Sequence, residues 1–209
     1  MKYVGAATLS MPVTVIPSAA GDIVDVAYLY ANQPKESAQP TGCLVETVPR
    51  YVVATLVGSI GTVLGTVKMT AVSLPAGMVI TSITWVIGST ASASPTHGWL
   101  GICDSAGVQR AHTADSLTTV AAANSSITRA LTTPYTIPTT GLYWIALSST
   151  ALTNPTVAGV STPGGLSSTG TGILSGISGS AAQTTPGTDG VTTYTPPTAQ
   201  SAIPYMYLT

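Results

Sequence analysis

Residues 79–88 read VITSITWVIG. In an extended chain, Val79, Thr81, Ile83, Trp85 and Ile87 fall on one side, and Ile80, Ser82, Thr84 and Val86 on the other. β-Branched and aromatic side chains dominate, as suits a pleated, half-buried surface. The stretch is read as a strand, and its flanks repeat the pattern. VKMTAVSL before it ends in the turn sequence Leu74-Pro75-Ala76-Gly77. After it, WLGIC and VQRAH flank Asp104-Ser105-Ala106-Gly107, a hairpin whose tip needs the positive φ that Gly107 supplies. The turn Pro138-Thr139-Thr140-Gly141 leads into LYWIAL at 142–147. There Leu142, Trp144 and Ala146 face one way and Tyr143, Ile145 and Leu147 the other. Both sets are apolar, which predicts a central strand buried on both faces. The closing IPYMYL carries Pro204, which predicts an edge or terminal strand.

Short strands at spacings of about 8–12 residues with turn signals between them predict an all-β fold, an antiparallel, jelly-roll-like β-sandwich. It is placed over residues 56–209, with its first clear strand after about Thr62. Residues 1–55 read differently. They hold Asp22, Asp25, Glu36 and the loop-like ANQPKESAQPTG, and predict an extended attachment arm or a small β-subdomain. The one helix-like spacing, Leu117, Val120, Ile127 and Leu131, is filled with Thr, Ser and Asn, so 115–131 is read as a loop with at most a turn or two of helix. Residues 159–190 approach low complexity in Gly, Ser and Thr and are read as a long loop. Its small side chains bury little area, so order there requires that the sandwich or another chain hold it. No heptad, collagen-like triplet or other repeat of a self-supporting shaft occurs.

The 209 residues include only six Lys+Arg and seven Asp+Glu, a formal net charge of −1, against 44% hydrophobic residues. Typical soluble domains are about 25% charged. Sparse cations argue against binding a nucleic-acid backbone, and the apolar content argues against charge-driven disorder. Ser and Thr, about a quarter of the chain, supply polar surface instead. So few charges predict a chain covered in part by copies of itself, for example as a trimer with closed symmetry that hides strand edges. The start, MKYVGAATLSMPVTVIPSAA, resembles a signal peptide, but Thr8, Ser10, Pro12 and Thr14 interrupt its apolar core, and an uncleaved start is expected. Residues 51–67 are the most membrane-like stretch. Their Gly and Thr content favours two strands joined at Gly58-Ser59 over a span. Cys43 and Cys103 form no disulfide framework and are expected as free thiols, with a single bridge as the alternative.

CDSAG at 103–107 lacks the flanking glycines of a serine-protease nucleophile loop, and His97 and His112 are misplaced for that family. The turn reading wins. His97 is read as a loop residue before a strand, and His112 as lying on the exposed face of its strand. His97, Cys103 and His112 fit no zinc spacing. Seven acids offer no defined pair for glycoside hydrolysis, and no phosphate loop is present. No catalytic, cofactor or metal residue is assigned. Trp85 and Trp144 are read as core. Trp99, Tyr143, Tyr205 and Tyr207 are the candidate surface contacts, able to stack on sugars or to pack against a neighbour.

Three segments together carry a resemblance: 73–108 (SLPAGMVITSITWVIGSTASASPTHGWLGICDSAGV), 130–147 (ALTTPYTIPTTGLYWIAL) and 201–208 (SAIPYMYL). They resemble a β-sandwich domain of structural proteins of tailed bacteriophages, especially those of actinobacteria, found in minor tail, fibre-like and other virion surface components. The resembling part spans about Val67 to Thr209. The resemblance implies no catalytic residues. It implies a non-enzymatic virion protein assembled in the host cytoplasm and favours a minor tail protein bound to tail proteins, whereas the short chain without a shaft favours a decoration protein bound to the major capsid protein. In either case residues 1–55, which the resemblance does not cover, are expected to be the anchor. A carbohydrate-binding or host-adhesion module contacting host surface glycans is the alternative. Neither reading needs nucleic acid, a cofactor or a membrane span.

Overall fold

The computed structural model describes residues 42–48, 60–61, 66–115, 121–161, 175–177, 183–195 and 202–209. The chain divides into two units, Met1–Pro40 and Thr41–Thr209. The first, with Asp22, Asp25 and Glu36, lies outside the described residues, as does the turn expected at Gly58-Ser59.

The second unit is all-β. Its strands are β1 (Val45–Glu46), β2 (Ile60–Gly61), β3 (Lys68–Leu74), β4 (Val79–Val86), β5 (Ala93–Cys103), β6 (Gln109–His112), β7 (Ser126–Thr136), β8 (Gly141–Thr153), β9 (Thr156–Val157), β10 (Gly159–Ser161), β11 (Ser175–Ile177), β12 (Ala202–Pro204) and β13 (Met206–Leu208). Two antiparallel sheets form the sandwich, one in the order β1-β13-β4-β7 and the other β11-β3-β8-β5-β6. Ile80, Ile83, Trp85, Leu131, Met206 and Leu208 from the first sheet meet Val72, Leu74, Leu100, Ile102, Tyr143, Ile145 and Leu147 from the second. Burying such side chains at about 25 cal/mol per Å² is what holds the sheets together.

β8 lies where LYWIAL predicts, between β3 and β5, and Tyr143 through Ser149 are all buried. Its second apolar face is covered as well. Trp144 and Ala146 join Val67, Met69, Ala71, Trp99, Cys103 and Tyr194 in a separate cluster. The three predicted turns form, with Gly77 at φ 82° and Gly107 at φ 84°.

The structure corrects several expectations. In β4 the strict alternation fails. A register shift between Ile80 and Ser82 is matched on the other edge by a single carbonyl: the N–H groups of Thr81 and Ser82 both donate to Thr209 O, at 2.7 and 3.0 Å. This β-bulge puts Ile80 on the same side as Ile83, Trp85 and Ile87, and leaves Val79 half-exposed at 49%. Residues 126–131, expected in a loop, form the start of β7. Ile127 pairs with Trp85 and Arg129 with Ile83. A spacing of four is also a multiple of two, and the Thr and Ser content belongs to the strand. In the closing segment, β12, which carries Pro204, is an edge strand as expected, in a two-stranded ladder with β10, whereas β13 beyond it is internal, between β1 and β4. β1 pairs with β13, so the sandwich begins before residue 55. Within the expected loop at 159–190, β10 pairs with β12 and β11 with β3. Backbone hydrogen bonds do there what small side chains cannot.

Neither Cys43 nor Cys103 is in a disulfide. Burial pushes the Cys103 thiol far up, with Asp104 and Asp189 adding to it, so it stays a neutral core group. The edges of β6 and β7 meet within the chain, through the Thr113–Leu131 bridge and a bond from Thr132 Oγ1 to His112 O at 3.0 Å. That closure needs no neighbouring subunit.

Lys68 is 3% exposed and shares a strand face with Val72 and Leu74. Burial alone lowers its pKa from 10.5 to about 8. Between these values the unfolded chain holds a proton that the native chain has released, so stability is expected to rise with pH there, by about 3 kcal/mol in all. Below pH 8 the buried ammonium is a constant cost. Lys68→Met is therefore expected to be more stable at pH 7 and to lack the alkaline rise. Urea unfolding at pH 7, 8, 9 and 10 measures both. Equal pH slopes in the two proteins would show that the amine reaches water.

Candidate functional site

The aromatic residues singled out in the sequence are packing groups. Trp99 is 1% exposed. Its Nε1–H donates to Gln183 O at 3.3 Å and its ring lies 5.8 Å from that of Tyr194. A side chain at Gly101 would sit 3.3 Å from Trp99 Cζ3, so the glycine makes room for the indole to lie over the sheet. Tyr143 is buried and donates to Thr139 O at 2.9 Å. Tyr205 is buried and donates to a Glu46 carboxylate oxygen at 2.7 Å. Tyr207 is half-buried with its ring 6.2 Å from that of Tyr205. The expected exposed platform is not formed by these four residues. The apolar body of each ring is worth more inside a layer than in water.

What covers Trp99 is the segment 183–195, and Gln109 holds that segment. This buried amide donates from Nε2 to Gly187 O and Asp189 Oδ1, both at 2.8 Å. Its Oε1 accepts from Gly187 N–H at 3.2 Å and from Tyr194 Oη–H at 2.9 Å. Backbone bonds run alongside, from Gln109 N–H to Thr192 O and from Gly190 N–H to Gln109 O. Burial pushes the Tyr194 phenol up to about 12, so it remains a neutral donor.

The histidines serve similar ties. His97 lies within β5 rather than in a loop, at the register shift after Pro95. Its Nδ1 is 2.7 Å from Asp115 Oδ2, while Asp115 Oδ1 accepts Gly98 N–H at 2.9 Å. His112 is half-buried rather than exposed, its Nδ1 2.9 Å from Asp189 Oδ1. Among the described residues neither imidazole is hydrogen-bonded to a hydroxyl or thiol. No group of three His, Cys, Asp or Glu converges among the described residues, and none of their helices is long and apolar enough to cross a membrane. A cavity of about 30 Å³ beside His97 and Trp99 has room for a water or two.

One end of the sandwich is more open. A cleft of about 450 Å³ separates the 104–107 hairpin tip from the 138–141 turn. Asp104 organises one wall. Its Oδ1 accepts N–H bonds from Ala106 and Val108, both at 3.0 Å, and its Oδ2 accepts Arg110 Nε at 3.0 Å and Nη2 at 2.7 Å. Burial raises the Asp104 pKa, but the Arg110 and backbone hydrogen bonds outweigh it and hold the carboxyl below its ordinary value. The carboxylate is saturated by these four bonds, and Arg110 Nη1 makes no hydrogen bond among the described residues. The opposite wall is the turn itself. There Tyr143 Oη–H fixes Thr139 O, and Thr140 Oγ1 accepts Ala76 N–H at 2.9 Å, keeping its own proton to donate. Tyr135, half-buried on β7, also lines the cleft, and Leu142 is 45% exposed.

Sequence reasoning named Tyr143 but missed Tyr135 and Arg110. The Asp104–Gly107 turn was legible as a turn. That Arg110 returns to the turn's carboxylate depends on the register shift between Ile102 and Cys103, which no residue pattern announces.

The sequence matches no family model, and no curated protein is significantly similar to it. The second unit is thus defined by its architecture: an antiparallel all-β sandwich with additional cover on the outer face of its five-stranded sheet.

Proposed function

We propose that this chain is a non-enzymatic structural protein of a phage virion, displayed on the particle and attached through its N-terminal part to the capsid or the tail. The resemblance of 73–108, 130–147 and 201–208 to phage β-sandwich domains supports this reading. The observation that carries it is how the polar side chains are used. Gln109, Asp104, Arg110 and both His–Asp pairs tie loops to strands, and buried side chains of β3, β5 and β8 line both faces of the five-stranded sheet. Such a domain suits durable display, since few segments open locally where backbone and apolar groups are this well covered.

Quantitative mass spectrometry of purified particles tests the proposal. The chain is expected in the particle, at copy numbers on the order of hundreds for a capsid decoration and a few to dozens for a tail component, as repeated symmetric assembly requires. Particles that contain none of it overturn the proposal.

A further inference from the structure

We propose that the cleft between the 104–107 hairpin tip and the 138–141 turn binds a neutral saccharide. The inference goes beyond the assembly role and stands on separate geometry. The cleft's volume of about 450 Å³ falls within the range of small-ligand sites. Its polar groups are fixed before any ligand arrives. Asp104 is pinned by two backbone N–H groups and holds Arg110 through two nitrogens, so Nη1 presents a donor in a defined place. Thr140 Oγ1 is oriented by Ala76 N–H. Tyr135 Oη makes no hydrogen bond among the described residues, and burial raises its pKa, which keeps it a neutral O–H donor.

The chemistry selects the ligand class. The charges of Asp104 and Arg110 cancel, so an anion gains little there over water. Fixed N–H and O–H donors suit acceptor oxygens arranged around a ring. The Tyr135 ring and the exposed Leu142 offer apolar surface to the C–H face of a sugar. An extended peptide would want a free strand edge. Here β6 is bonded on one side by β5 and on the other by 190–193, and β6 and β7 close against each other.

The test uses the full chain, ¹⁵N-labelled, titrated with maltotriose, chitotriose and lactose, with trigalacturonate and inorganic phosphate as anionic probes. At least one neutral sugar is expected to shift the amides of Ser105, Arg110, Tyr135, Thr139 and Thr140 saturably, with Kd of about 0.1–10 mM. Arg110→Gln is expected to weaken that binding about tenfold, the loss of one charge-assisted donor. Because Arg110→Gln also frees Asp104, Tyr135→Phe serves as the second variant. It keeps the ring and the fold, and is expected to weaken binding several-fold while the rest of the spectrum is unchanged. The proposal is overturned if no neutral sugar moves these amides, if an anion moves them more than every sugar does, or if Tyr135→Phe and Arg110→Gln bind as the parent does.

Discussion

Trp99→Ala is expected to lower the unfolding free energy by about 3–5 kcal/mol, the cost of truncating a fully buried aromatic side chain. The indole is 1% exposed, lies against Tyr194 and over Gly101, and belongs to the cluster that seals the outer face of the five-stranded sheet. Truncation leaves a cavity under the 183–195 segment and removes the donor to Gln183 O. Ser148 Oγ–H also donates to that carbonyl, at 2.8 Å, so the oxygen keeps a partner and the main loss is packing. Trp99→Phe separates the terms. It keeps most of the apolar area, gives up the N–H bond, and is expected to cost about 1–2 kcal/mol. Urea unfolding of the three proteins measures this. An exposed sugar-stacking Trp would behave in the opposite way, with unchanged stability and lost binding. A shift below about 1 kcal/mol for Trp99→Ala would therefore mean that the outer face is not a core.

The contrast shows where the sequence could be read and where it could not. LYWIAL announced a strand buried on both faces because two apolar sets alternate in six residues, and β8 has that place. The turns at Gly77 and Gly107 were legible because their backbone needs positive φ, which glycine supplies at little cost. Ile80 was assigned to the wrong face because the irregularity at Thr81–Ser82, where two N–H groups share the Thr209 carbonyl, leaves no mark on composition, and every side chain on one side of it changes sides. The same two-faced burial of β8 implied that something must cover its outer side. The described segment 183–195, poor in large side chains, covers part of it, with Tyr194 as its one aromatic anchor. Composition could not reveal this, because the segment is held less by its own apolar area than by one amide some eighty residues away in sequence. The cleft was invisible for a related reason: Asp104, Arg110 and Tyr135 each have an ordinary strand or turn role, and only the register brings them together.

Gln109→Glu tests that amide most severely. The substitution conserves shape almost completely, yet the carboxylate has no hydrogen to give. Gly187 O loses this donor, Asp189 Oδ1 is left with His112 Nδ1 alone, and two carboxylates are brought within hydrogen-bonding distance, one of them at a residue that is fully buried. A buried acceptor without its donor costs about 1–3 kcal/mol, and the like charge adds to it. A loss of about 4 kcal/mol is expected at pH 7. The sign of its pH dependence follows. Desolvation and Asp189 raise the folded-state pKa of the new carboxyl above its unfolded value, so the native chain takes up a proton first as pH falls. The penalty is therefore greatest above that raised pKa and shrinks as pH falls through it toward the ordinary Glu range. Gln109→Ala, which removes the donor to Gly187 O and Asp189 Oδ1 and also the acceptor of Gly187 N–H and Tyr194 Oη–H, but adds no charge, is expected to be destabilised at pH 7 and to show no such acid recovery. Hydrogen exchange localises the effect. In both variants the amides of Gly187, Gly190, Thr192 and Tyr194 should lose protection well before those of β5 and β8, because the sandwich core does not depend on the clamp. If Gln109→Glu proves as stable as the parent at pH 7, the segment is held by its backbone bonds alone and the amide is incidental.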